Sequence, residues 1–75
     1  MTLNNIPVGH TATILALAPN KAAFRNKLLA LGMTPGAKVK VKRLAPLGDP
    51  IEIEVRGFSL SLRKAEAQTI EVEIN

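Results

Sequence analysis

The 75-residue chain has no cysteine, no tryptophan and no tyrosine, a single histidine (His10) and two phenylalanines, Phe24 and Phe58. Without cysteine there are neither disulfides nor thiolate metal ligands to staple the fold, a composition that suits a reducing compartment. One imidazole with no thiol beside it leaves no soft donor set for a transition metal, so no metal site and no cofactor are expected. Long apolar runs are missing too. The longest, Ile14 to Pro19, falls far short of the roughly 20 residues a spanning helix needs, so no membrane crossing is expected. The first residues show no basic region followed by an apolar stretch, so no secretory leader is expected either.

Catalytic chemistry is equally poorly supplied. Nucleophilic catalysis needs a Ser, Thr, Cys or Lys beside a base, and proton transfer usually needs a histidine or paired carboxylates in a pocket. His10 sits beside a turn near the start of the chain, where a solvent-facing polar residue is the simpler reading. Gly9, Gly32, Gly36, Gly48 and Gly57 are scattered, each beside a turn signal, and form no phosphate-cradling loop. Arg25, Arg43, Arg56 and Arg63 are each candidates for a finger acting on a partner's phosphoryl transfer, but no spacing singles one out. The residues predict a shaped surface and no reaction site.

What is present is apolar residues, 47% of the chain, and an excess of positive charge, +4 with a pI near 10.0. Such a charge favours acidic partners without choosing among nucleic acid, an anionic membrane surface and an acidic protein face. Ala37 to Arg43 alternates strictly, with Ala37, Val39 and Val41 on one face and Lys38, Lys40 and Lys42 on the other. Ile51 to Arg56 and Thr69 to Ile74 repeat the pattern, with Ile51, Ile53 and Val55, then Ile70, Val72 and Ile74, facing inward. Thr11 to Leu17 and Phe58 to Leu62 complete five predicted strands, the latter with Phe58, Leu60 and Leu62 inward. Arg56-Gly57 fits a tight hairpin, and the two prolines and glycine of Ala45-Pro-Leu-Gly-Asp-Pro50 predict a stiff exposed loop.

One helix is predicted from about Lys21 to Leu31, capped by Asn20, with Phe24, Leu28 and Leu31 forming its apolar stripe. Gly32 fits the left-handed position past its end, Met33 can fold back on Leu28, and Thr34-Pro35-Gly36-Ala37 reads as a type II turn into the next strand. The fold class is therefore mainly β: a small five-stranded SH3-like barrel with one flanking α-helix and a short helical turn, Arg63 to Gln68, before the last strand. Residues 1–75 read as a single domain.

Lys38, Lys40, Lys42 and Arg43 form a basic stripe that could follow a phosphate backbone, which makes a nucleic-acid-binding barrel the sharp alternative. Against it, strand-binding barrels use exposed aromatics for stacking, and both phenylalanines fall on predicted core faces. Pairing of Lys40 and Lys42 with Glu52 and Glu54 across strands is the simpler account of the stripe. By elimination, the most plausible contact is the exposed loop: Pro46, Leu47, Gly48 and Asp49, with Arg43 beside them. Leu47 has a second reading as a lid folded over the barrel.

Three ordered motifs, Leu28-Leu-Ala-Leu-Gly-Met-Thr-Pro-Gly36, Ala45-Pro-Leu-Gly-Asp-Pro50 and Arg56-Gly-Phe-Ser-Leu-Ser-Leu-Arg63, resemble the ferrous iron transport protein A (FeoA) family over nearly the whole chain. The resemblance implies a small cytosolic accessory or regulatory protein. It would act on the ferrous iron permease FeoB, and through it reach the inner face of the membrane and a GTP-binding domain. It implies no small-molecule substrate, and a metal-regulatory interaction domain as a second context. The matching residues are Leu31, Gly32, Met33, Pro35 and Gly36, then Pro46 to Pro50, then Gly57 and Arg63. Leu28, Leu31, Gly32, Met33, Pro35, Gly36 and Gly57 each have a sufficient structural reason.

Overall fold

The computed structural model describes residues 1–17 and 22–75. Among them the strands are β1 (Thr11–Leu17), β2 (Lys38–Leu44), β3 (Ile51–Val55), β4 (Phe58–Leu62) and β5 (Ile70–Ile74). They form one antiparallel sheet in the order β4-β3-β2-β1-β5. A meander of four strands whose fifth returns beside the first is the SH3-like arrangement expected from the alternation. The helix α1 spans Ala22–Ala30, and a single helical turn, α2, spans Lys64–Ala67 between β4 and β5. The expected helix cap, Asn20, and the first expected helical residue, Lys21, lie outside the described residues.

Alternation works as read for β2 and β3. Ala37, Val39 and Val41, then Ile51, Ile53 and Val55, are buried together with Ile70 and Val72 of β5, because β-branched side chains on one pleat face stack into a continuous apolar layer. Leu28 of α1 is buried in the same cluster, and Phe24 packs against it half-buried. The turn chemistry also matches. Gly32 N–H donates to Leu29 O (3.1 Å) and Met33 N–H to Leu28 O (3.0 Å), the two bonds of a Schellman end, with Gly32 at φ +92°. Ala37 N–H donates to Thr34 O (2.9 Å) with Gly36 at φ +91°, the type II turn.

Five sequence readings need correction. Phe58 is 43% exposed and Ile74 41%, so neither belongs to the core; both sit at strand ends, where the sheet has run out of facing layer. Leu60 is only partly buried. Lys42 does not pair with a glutamate. A bulge between Val41 and Arg43 shifts the register, so that Lys40 lies opposite Glu54 and Arg43 opposite Glu52, while Lys42 Nζ donates to Ser59 Oγ (3.0 Å). Leu47 is no lid, being 95% exposed.

The first residues make a core contribution that no periodicity announces. Leu3 and Ile6 are buried, Leu3 within a single 3-10 turn, Leu3–Asn5. Thr2 bridges to Glu71, and Val72 N–H donates to Met1 O (2.8 Å), so residues 1 and 2 run along the outer edge of β5.

Candidate functional site

The loop predicted as the contact point projects between β2 and β3, and its shape follows from its own residues. Pro46 and Leu47 occupy the central places of a turn closed by Gly48 N–H donating to Ala45 O (2.7 Å), with Gly48 at φ +82°. Ala45 N–H donates to Pro50 O (3.1 Å) and closes the loop's neck. The turn therefore holds Leu47 at its tip with nothing packed over it. The Asp49-Pro50 peptide is cis.

Asp49 is placed by a contact the sequence did not reveal. Its Oδ1 accepts the Lys64 N–H (2.9 Å), so the loop's carboxylate satisfies one of the free amides at the start of α2. Glu66 Oε1 accepts the Arg63 N–H (2.8 Å) in the same turn, as in half of a capping box. Asp49 thus ties the loop to α2. Asp49→Ala is expected to cost about 0.5–2 kcal/mol, read as a fall in Tm and as faster hydrogen exchange at the Lys64 amide; exchange at Lys64 as slow as in the wild type would refute the tie.

Arg43 stands at the foot of the loop, ion-paired to Glu52 through Nε. With Leu44, Pro46, Pro50 and Ser61 these two line a shallow hollow of about 330 Å³. Across Pro50 and Ser61 lies a second hollow of about 450 Å³ bordered by Lys27, Asp49, Arg63 and Glu66. The structure places Arg43, Pro46, Leu47, Gly48 and Asp49 in and at the foot of this loop, with Arg63 from the third motif beside them. Leu28, Leu31, Gly32, Met33, Pro35 and Gly36 cluster elsewhere, at the end of α1, and Gly57 (φ +86°) forms the β3–β4 hairpin with Arg56 (φ +49°). Across to that helix end, Arg56 Nε donates to Gly32 O (2.9 Å), joining the hairpin to α1.

Ser61 borders both hollows and lies opposite Glu52, but among the described residues its hydroxyl makes no hydrogen bond to a carboxylate or imidazole. His10 is exposed in the turn before β1, and among the described residues no three His, Cys, Asp or Glu side chains converge as a metal site would require. The basic stripe is interleaved with acid, since Lys40 faces Glu54 and Arg43 binds Glu52. Half-exposed Phe58 is an aromatic outside the core, contrary to the sequence reading.

A profile of the FeoA domain matches residues 1–74. The chain belongs to the FeoA family. Among its relatives is an Fe(2+) transport protein A/Fe(2+) transporter FeoB fusion protein of Porphyromonas gingivalis, 32% identical over 74 residues. That match takes in 99% of this chain but 9% of the fusion protein, so the chain spans about a tenth of that relative's length. The solution structure of a FeoA protein from Chlorobium tepidum is 43% identical and superposes with a TM-score of 0.88, covering 99% of this chain and 70% of the other. A zinc complex of FeoA from Stenotrophomonas maltophilia, described as an SH3 domain protein, is 26% identical with a TM-score of 0.86, covering 97% of this chain and 89% of that one. The turns at Gly32, Gly36 and Gly57 build an SH3-like sheet. No helix among the described residues is long and apolar enough to cross a membrane.

Proposed function

We propose that this FeoA-family chain is a non-catalytic regulatory module of ferrous iron transport that binds the cytosolic part of a FeoB-type permease through the Leu47 loop. The observation that carries the reading is the fused relative, in which a FeoA domain and FeoB share one polypeptide. A fusion holds two partners at high effective concentration, and a surface on the FeoA domain that meets the permease would serve that association. The exposed Leu47, held on a closed turn with Pro46 and Gly48, supplies an apolar knob whose backbone is already ordered on folding. Arg43 and Asp49 frame it with polar groups, as at an interface rim. The chain works in the cytoplasm and meets the membrane only through this partner.

Burial of one leucine side chain on binding is worth about 1.5–3 kcal/mol. Leu47→Asp is accordingly expected to weaken capture of the permease's cytosolic part by at least about tenfold, while Tm stays within the narrow range of surface substitutions. Pull-downs with and without guanine nucleotide measure the effect. Capture of Leu47→Asp at wild-type strength would remove the loop from the interface, and absence of wild-type binding together with intact iron uptake in a deletion strain would remove the function.

A further inference from the structure

β1 does not alternate to its end. A register shift between Ile14 and Ala16 leaves Leu15 and Ala16 exposed in succession, with Leu15 48% accessible. Across from them α1 presents Leu29, 37% exposed and off the stripe formed by Phe24, Leu28 and Leu31. Bulges commonly re-aim side chains beside functional surfaces, and here the bulge exposes apolar residues that the core does not use. With Leu17, Pro35 and Arg25 they line a groove of about 340 Å³ that contains no carboxylate.

Arg25 is the odd member. It is half-buried, its Nε is enclosed without a hydrogen-bond partner, and neither ion pair among the described residues involves it. It stands in the N-terminal half of α1, whose first turn carries no acidic residue, so the helix dipole opposes its charge instead of screening it. A half-buried guanidinium with no acidic partner among the described residues carries an electrostatic cost, which a carboxylate seated in the groove would relieve by a charge-assisted bond to the side chain's terminal N–H groups.

We propose that this groove docks an apolar peptide segment bearing one carboxylate, which pairs with the Arg25 guanidinium while aliphatic side chains cover Leu15 and Leu29. The assignment of that segment to the permease's cytosolic part rests on the function proposed above; the chemistry of the groove does not. The groove lies apart from the Leu47 loop, since the two share no lining residue, and would give the module a second point of attachment.

The test uses the full ¹⁵N-labelled chain and two synthetic amphipathic 12-residue leucine-rich peptides that differ only in a central Glu or Gln. The Glu peptide is expected to shift the amides of residues 15–17, 25 and 29, the Gln peptide to bind at least about tenfold more weakly, and Arg25→Gln to erase the difference between them. Shifts confined to the 45–50 loop, equal binding of the two peptides, or no shifts at all would overturn the proposal. In parallel, the permease's cytosolic part is titrated against wild type, Leu15→Asp, Arg25→Gln and Leu47→Asp, each first verified as folded by its amide spectrum. A tenfold loss in both groove variants supports the permease as source. Loss in Leu47→Asp alone overturns the groove as a permease site and leaves the function standing; no wild-type binding despite peptide docking overturns the function and leaves the groove.

Discussion

Leu3→Ala is expected to destabilise the domain by about 2–5 kcal/mol, the range for truncating a fully buried leucine. The side chain has no solvent exposure and lies within the core cluster that includes Ile14, Val72 and Ala67. A domain of this size has a total stability in the lower part of the usual range of about 5–15 kcal/mol, so the loss consumes much of it. Each kcal/mol shifts Tm by about 4–8 °C in domains of 60–100 residues. Thermal and urea unfolding measure the effect, with Val8→Ala, exposed in the turn before β1, as the companion expected to stay within about 0.5 kcal/mol. Equal effects of the two substitutions would mean that the first residues do not complete the core.

Gly32→Ala is expected to cost about 2 kcal/mol, from two sources that can be separated. A left-handed backbone costs a residue with a Cβ roughly 1–2 kcal/mol, and Gly32 sits at φ +92°. The added Cβ would also lie 2.6 Å from Arg56 Cδ and 2.9 Å from its Nε. The arginine must then move off the Gly32 carbonyl and release its contact with Thr34 Oγ1 (3.3 Å). In an Arg56→Ala background the second source is absent, so Gly32→Ala should cost less there by about 0.5–1 kcal/mol, a coupling measured by a double-mutant cycle in urea. Zero coupling would show that Arg56 contributes nothing to the end of α1.

These two positions also mark what the residues disclosed and what they concealed. Gly32 was legible because a Schellman end is local: the stripe stops, a glycine follows and an apolar residue comes next. Its union with Arg56 was not, since 24 positions separate the partners and nothing in either segment names the other. β2 and β3 were legible because one face of each is buried, which forces alternation. Both bulges escaped the reading, although Lys42-Arg43 and Leu15-Ala16, each a pair of like residues interrupting an alternating run, were their visible trace. Leu3 and Ile6 were missed because a single 3-10 turn has too few residues to show a period. The exposed loop of the candidate site was legible from Pro46, Gly48 and Pro50, which stop strands wherever they occur. The groove around Arg25 was not, because it depends on a strand and a helix meeting across the fold.

The pairing of β5 with β1 carries a consequence for how the chain comes to be folded. Thr13 Oγ1 donates to Asn75 Oδ1 (2.9 Å) across 62 positions, and the same two strands are joined along most of their length. Closing so long a loop must be met in entropy before any of its contacts forms, which slows sheets of this topology relative to helical domains. During synthesis β1 emerges with its apolar face and waits for the last strand of the domain to be made. Leu3 waits with it, because residues 1 and 2 are laid along β5. A nascent or truncated chain ending before residue 70 therefore lacks both the neighbour of its first strand and the bed for its first core residue, and the domain is acquired in one late step.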